Sequence, residues 1–299
     1  MVGSNKICKP CSIIIVTYNS SSHIRDCLTP FDGMSDFEVV VVDNNSQDSC
    51  ADLVEREFSF VRVISLETNV GFGRACNIGV AASSGKNIVL MNPDAVASPK
   101  VIRDQVKFLS DHHKTGIVGG RLIDSLGRPL QSMGDRPSLI GLVLDKPFAW
   151  LAKRVKCQGF LRQLLGRVSS KFRLSEEPEP AAWVSGAFLC CRRMVWDEIA
   201  GFDENFFLYY EDVDLCLRAN KAGWEVYHNP QAVIQHRSGA SFGGDLDKQK
   251  KFYYASQDYF FRKHHHPLVA FLFSWTQGIY CRLGLFRGFS QDRIGRHLV

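Results

Sequence analysis

Two adjacent carboxylates, Glu211 and Asp212, follow the aromatic run Phe206-Phe207-Leu208-Tyr209-Tyr210 and open a helical stretch that reaches about Ala222 and ends at Gly223. The positive end of a helix dipole favours carboxylates at a helix start. Two of them behind an aromatic run are nevertheless costly to bury without a task, and both can take a proton or hold a cation. His236 follows an apolar strand 24 residues after Asp212; a histidine there is either a ligand or a packing residue. Four more polar clusters each follow an apolar, β-branched run: Thr17-Tyr18-Asn19-Ser20, Asp43-Asn44-Asn45-Ser46, Asn69 to Asn77 with Gly71, Gly73 and Arg74, and Asn92-Pro93-Asp94. Taken singly, each reads as a helix cap or a turn.

The elements before these clusters change that reading. Strands are predicted over Ser12–Thr17, Phe37–Asp43, Val61–Leu66 and Lys86–Met91, with a fifth opening at Ile117. Helices are predicted over 20–29, 48–57, Phe72–Ser84 and 98–111. Regular alternation of short buried strands and helices calls for a mostly parallel sheet covered on both faces. Ligands of such sheets bind beyond the carboxyl ends of the strands, and all four clusters lie there.

The pattern changes after residue 120. Asp124–Arg128 reads as a hairpin turn. Residues 145–173 hold eight Lys or Arg and one Asp, with Leu161, Leu164, Leu165 and Val168 on one helical face, the signature of a basic amphipathic helix. Glu176–Pro180 reads as a linker, Ala181–Cys191 as an apolar run, and Trp224–Tyr227 and Ala232–Gln235 as two strands. The tail Pro267–Phe286 is apolar and aromatic but interrupted.

Composition excludes several classes. With 45% hydrophobic and 22% charged residues the chain is not disordered. A net charge of +5 over 299 residues does not indicate nucleic acid, and suits an anionic ligand or a membrane face if the charges cluster. The start of the sequence lacks the apolar core of a secretory signal, and no stretch is long enough to span a bilayer. The ten cysteines are scattered, several inside apolar runs, and read as reduced core thiols of a cytoplasmic protein. Cys8-Lys9-Pro10-Cys11 precedes the first strand instead of following one, and no second pair completes a zinc site. Gly71-x-Gly73-x-x-Cys76 lacks the third glycine of a dinucleotide loop and follows the wrong strand.

Together, Ile14-Ile15-Val16-Thr17-Tyr18-Asn19, Val42-Asp43-Asn44-Asn45-Ser46, Asn69 to Gly79, Leu90-Met91-Asn92-Pro93-Asp94 and Gly201-Phe202-Asp203-Glu204 with Phe206-Phe207 before Glu211-Asp212-Val213-Asp214-Leu215 resemble the family 2 glycosyltransferases of GT-A fold, in particular their bacterial rhamnosyltransferase-like branch. The resemblance covers about residues 10–240. It implies a GT-A catalytic domain over 1–245, made of a nucleotide-sugar half (1–120) and an acceptor half (121–245) with the basic insertion, followed by an aromatic extension over 246–299. It also implies inverting transfer of a sugar, with L-rhamnose from dTDP-L-rhamnose as the best match and a UDP-sugar as the alternative. The acceptor would be a glycan or a polyprenyl-diphosphate-linked glycan of the cell surface, and the cofactor Mg²⁺ or Mn²⁺.

By position, Thr17, Tyr18, Asn19, Asp43, Asn44, Gly71, Arg74, Asn77, Asn92 and Asp94 match the nucleotide-sugar site. Asp94 and His236 match the metal ligands, Asp212 the general base with Glu211 beside it, and Trp183, Gly186 and Glu211 the acceptor side. Asn92 departs from the pattern, since many members carry the first Asp of the D-x-D motif there; an amide oxygen still ligates but with less charge. Two other readings compete with an enzyme: a non-catalytic sugar-nucleotide-binding module on the same fold and a membrane-scaffolding protein built on residues 145–173. The basic segment and the aromatic tail imply peripheral contact with an anionic membrane on its cytosolic face.

Overall fold

The computed structural model describes residues 10–138, 175–237 and 246–282. Among them, strands β1 (Cys11–Thr17), β2 (Phe37–Asp43), β3 (Val61–Ser65) and β4 (Asn87–Met91) alternate with helices α1 (Ile24–Leu28), α2 (Cys50–Glu57) and α3 (Phe72–Ala81). Then come β5 (Ala95–Val96), α4 (Pro99–Asp111), β6 (Thr115–Ile123), β7 (Met133–Gly134), β8 (Glu179–Pro180), β9 (Trp183–Val184), β10 (Phe188–Arg192) and α5 (Arg193–Glu198). The described chain ends with α6 (Glu211–Lys221), β11 (Glu225–His236), α7 (Leu246–His264) and α8 (Pro267–Arg282). The main sheet runs β3-β2-β1-β4-β10-β6-β11-β5, with β8 on β11.

Period-two patterning sets the layers. Ile13, Ile15, Val39 and Val41 face α1, α2 and α4, whereas Ile14, Val16, Val40 and Val42 face α3, α5 and α6. Both faces are therefore covered, which is why these strands read as unbroken apolar runs. Gly79 lets α3 approach closely: a Cβ there would lie 2.6 Å from Ile14 Cγ2.

The expected α/β sheet flanked by helices is present, with one feature that alternation does not reveal. β10 runs antiparallel between β4 and β6, and β11 is again parallel to β6. The start of β10 and the end of β11 thus share an edge with the carboxyl ends of β1, β2 and β4. Three local expectations change. Glu179–Pro180, read as a linker, is a strand on β11. The two short strands around Pro230 are one strand, irregular between Asn229 and Val233, where proline cannot donate to the ladder. The helix expected from residue 20 begins at Ile24, because Ser20 instead closes a turn through its carbonyl to His23 N and Ile24 N. The hairpin at Asp124 forms, with Leu126 N and Arg128 N both donating to Asp124 Oδ1.

The described cysteines outside the last helix, Cys11, Cys27, Cys50, Cys76, Cys190, Cys191 and Cys216, are free and buried, and burial pushes the Cys11 thiol up to about 12. Cys8 and the basic segment 145–173 lie outside the described residues. One face of the described part of the tail is packed: Phe260, Phe261 and Phe273 of α7 and α8 join Phe206, Tyr210, Val213 and Leu217 in a third apolar cluster against α6.

Candidate active site

The nucleotide side is a set of loops tied to one another. Thr17 at the end of β1 donates to Asp43 Oδ1 at the end of β2 (2.9 Å), and Ser46 N donates to Asp43 Oδ2 (2.9 Å). Asp43 is therefore a buried brace of this turn; it is Asp48 Oδ1 that accepts from Cys50 N at the helix start. Asn19, in the left-handed region at φ 52°, accepts from Gln47 N at 2.7 Å, and its own N–H donates to Ser46 Oγ at 2.9 Å. Tyr18 between them is half-buried. Buried Asn44 fastens the next loop: its Nδ2 donates to Asn69 Oδ1 (3.0 Å) and Gly71 O (3.2 Å), and Val70 N donates to its Oδ1 (2.9 Å).

Gly71 and Asn77 hold the aromatic loop. At φ +88° Gly71 lies so close to that loop that a Cβ would sit 2.5 Å from Phe207 O, and Phe72 N donates to the same carbonyl at 2.9 Å. Asn77 grips the backbone of Phe202 at both ends, donating to its carbonyl and accepting from its N–H, each at 2.9 Å. Arg74, in the first turn of α3, is exposed and 3.3 Å from Glu204 Oε2.

The metal-ligating types meet across β11 and β5. His236 pairs in register with Ala95, the residue after Asp94, and Arg237 N donates to Asp94 O at 3.0 Å. That register places His236 Nε2 3.2 Å from Asp94 Oδ1, both buried, with Asn92 Nδ2 3.3 Å from the same ring nitrogen. Burial would raise the Asp94 carboxyl, but the His236 hydrogen bond and charge outweigh it and hold the pKa below the usual carboxylate range. Among the described residues no three His, Cys, Asp or Glu side chains converge on one point. A carboxylate, an imidazole and an amide still fit a Mg²⁺ or Mn²⁺ ion, because such ions take few protein ligands and complete their shell with substrate phosphates.

Asp212 reaches this cluster through two consecutive residues, Gly186 and Ala187. Gly186 N donates to Asp212 Oδ2 at 2.9 Å, and the next residue, Ala187, accepts from Asn92 N through its carbonyl at 3.0 Å. Val213 N donates to Asp212 Oδ1 at 2.8 Å, so both oxygens of this half-buried carboxylate are aimed. Desolvation raises the Asp212 pKa against these two amide hydrogen bonds, which makes it a stronger base than a solvated aspartate. Glu211 is buried with Oε2 lacking a partner, and burial, then the charges of Asp212 and Asp214, push its pKa well up. Trp183 donates from Nε1 to Asp135 O at 3.1 Å and joins β9 to β7.

A raised carboxyl opposes folding wherever it is ionised in the unfolded chain. Stability lost to Glu211 should therefore grow as pH rises from its unfolded pKa of about 4.3 toward its folded value. Glu211→Gln should melt progressively higher than wild type as pH rises through this range, read by calorimetry; a difference independent of pH would show that Glu211 is not held in its acid form.

Sequence reasoning missed what holds Asp212 in place. Tyr209 and Tyr210 lie in the left-handed region, φ 71° and 67°, a strained conformation for bulky residues. α7 secures it: Gln257 Nε2 donates to Tyr210 Oη (2.6 Å), Ser256 Oγ to Leu208 O (2.7 Å), and Phe252 stacks on Phe207. Fully buried Asp214, two residues after Asp212, meets Arg218 Nε at 2.7 Å, Lys263 Nζ at 2.7 Å and His264 Nε2 at 2.6 Å. Lys263 also reaches Asp203 Oδ2 at 2.6 Å. Nothing in the spacing of Lys263 and His264 announced these partners.

The sequence profile of "Glycosyl transferase family 2" matches residues 12–174, and that of "Glycosyl transferase family group 2" matches residues 159–291. The chain is 28% identical over 246 residues to N-acetylglucosaminyl-diphospho-decaprenol L-rhamnosyltransferase of Mycobacterium tuberculosis, covering 78% of each. It is 24% identical over 231 residues to the O-antigen chain rhamnosyltransferase RfbN of Salmonella typhimurium, covering 75% of this chain and 65% of that one. Among solved structures it resembles the mannosyltransferase PcManGT of Pyrobaculum calidifontis in complex with GDP-Man and Mn²⁺, with TM-score 0.54 and 18% identity, covering 83% of this chain and 61% of that one. It also resembles GalNAc-T7 with UDP, GalNAc and Mn²⁺, with TM-score 0.59 and 13% identity, covering 86% and 50%. The fold is thus that of GT-A glycosyltransferases. With the family profile spanning more than half of the residues and the motif clusters on one sheet edge, the chain belongs to glycosyl transferase family 2.

Proposed function

We propose that this glycosyltransferase transfers L-rhamnose from dTDP-L-rhamnose, with inversion, to a glycan or polyprenyl-diphosphate-linked glycan in the synthesis of a cell-surface polysaccharide. The observation that carries the catalytic reading is the backbone of Gly186 and Ala187, whose N–H and carbonyl respectively tie the proposed base, Asp212, to the Asn92-x-Asp94 turn. The rhamnose and the lipid-linked acceptor are supported by the mycobacterial relative, whose name states both.

In this reading the loops of Thr17, Tyr18, Asn19, Asp43, Asn44 and Gly71 shape the nucleoside pocket, Arg74 turns to the diphosphate, and Trp183, Gly186 and Glu211 border the acceptor. Asp212 takes the proton of the acceptor hydroxyl as its oxygen attacks the anomeric carbon from the face opposite the leaving diphosphate. One base and one displacement invert that centre, as in inverting glycosidases. Asp94 and His236, with Asn92 beside them, would hold a Mg²⁺ or Mn²⁺ ion, which neutralises charge on the departing diphosphate.

Thermal shift and donor turnover with dTDP-L-rhamnose, UDP-sugars and GDP-sugars, each with Mn²⁺ or with EDTA, test this reading. dTDP-L-rhamnose with Mn²⁺ should give the largest stabilisation and the fastest turnover. EDTA should abolish turnover, and Asp94→Ala or His236→Ala should weaken metal-dependent donor binding. Preference for a UDP-sugar would replace the donor while leaving the mechanism; full activity in EDTA would remove the metal from it.

A further inference from the structure

The last described helix has two unlike faces. Ala270 and Phe273 are buried, and Val269 packs beside them on α7. Leu268, Phe271, Leu272 and Trp275 fall at i, i+3, i+4 and i+7 and are 61%, 65%, 39% and 59% exposed. They form one apolar stripe along α8. Other large exposed apolar side chains of the described residues, Met34, Leu126, Met194 and Val233, stand on separate elements, the scattered exposure that needs no explanation. A continuous aromatic and aliphatic stripe on one helix does need one.

We propose that this outer face of α8 docks the enzyme on an anionic lipid bilayer. Three observations select lipid as the occupant. The first is residue type: Trp and Phe beside Leu, with no Asp, Glu, Lys or Arg between Pro267 and Cys281, suit the boundary between headgroups and acyl chains. The second is charge: from Pro267 to the end, the sequence carries Arg282, Arg287, Arg293 and Arg296 against the single acidic residue Asp292, a complement to anionic headgroups. The third is length: no helix among the described residues is long and apolar enough to cross a membrane, so the stripe would lie in the interface. Sequence alone grouped Phe271, Phe273 and Trp275 with Tyr280 and Phe286 as one aromatic tail; the fold separates Phe273, which belongs to the core, from Phe271 and Trp275, which face outward.

Docking here would fix the active site relative to the bilayer, because α8 rests on α7 and α7 grips the loop ahead of Asp212. The inference takes its biological sense from the proposed lipid-linked acceptor, but vesicles without donor or acceptor test it separately.

The test is co-sedimentation of the full chain with vesicles of phosphatidylcholine and phosphatidylglycerol, or of phosphatidylcholine alone, at low and high salt. Wild type should sediment with the anionic vesicles at low salt and be released by high salt. The double variant Phe271→Ser, Trp275→Ser should bind at least about tenfold more weakly, with melting temperature and donor turnover in solution unchanged. Met194→Ser, an exposed apolar residue on another element, should bind as wild type does. Wild type remaining in the supernatant with anionic vesicles would overturn the proposal, as would a double variant that still sediments fully. Self-association lost in the double variant, with no vesicle binding by wild type, would assign the stripe to a second copy of the chain instead.

Discussion

Asp212→Asn should leave donor binding nearly unchanged, at the cost of one backbone hydrogen bond to the side chain, while lowering turnover by a factor of about 10² to 10⁴, the usual contribution of a positioned general base. The substitution keeps the shape of the side chain, and its single amide oxygen can still accept from one of the two donors, Gly186 N or Val213 N, while the amide nitrogen faces the other. What disappears is the capacity to take a proton at an oxygen whose basicity desolvation has raised. Initial rates with saturating donor and acceptor, together with titration of donor binding by calorimetry, separate the two effects. A variant with near-normal turnover would remove Asp212 from the mechanism; one that loses donor binding in proportion would make it a structural residue.

The second large effect concerns folding. Asp214 is fully buried against Arg218, Lys263 and His264, and truncating one member of such a group leaves the others without their partner. Asp214→Ala should therefore cost about 3–5 kcal/mol, a fall in melting temperature of about 10 °C. Its pH dependence has a definite sign. Burial would raise the Asp214 carboxyl, but the His264 hydrogen bond, the Arg218 charge and the Lys263 and Arg218 hydrogen bonds bring it below the ordinary value. A depressed folded pKa contributes stability that is complete above the unfolded value of about 3.9 and is lost as pH falls through the folded one. The gap in melting temperature between wild type and Asp214→Asn should thus be fully open at neutral pH and close only below about pH 4. A gap that does not change on acidification would mean that the buried ion pairs add nothing beyond shape.

These two neighbours show what the sequence could reveal. Strands β1, β2 and β4 were readable because each is buried on both faces and rich in β-branched residues, the edge strand β3 by its β-branched residues alone, and the polar cluster after each marks the ligand edge. Asp94 and His236 were readable only as types. Their meeting depends on β5 pairing with the far end of β11, a contact across some 140 residues that no local pattern encodes. The direction of β10 was hidden for the same reason: an apolar run states that a strand is buried, not which way it points. Several residues assigned to the donor by position, Asp43, Asn44, Gly71 and Asn77, have clear duties within the fold, since polar loops that must hold one shape spend their hydrogen bonds on each other. The support from α7 was invisible because its anchors, Lys263, His264 and Gln257, are ordinary surface types until Asp214 and Tyr210 are placed beneath them.

The central claim, direct displacement by an acceptor oxygen activated by Asp212, is tested most directly by the stereochemistry of the product. Wild-type enzyme incubated with dTDP-L-rhamnose, Mn²⁺ and a short lipid-linked glycan acceptor, followed by proton NMR of the anomeric region, should show donor consumed in step with a single new glycoside. Its anomeric configuration should be opposite to that of the donor. A product of retained configuration would contradict the single-displacement mechanism and, with it, the role of Asp212.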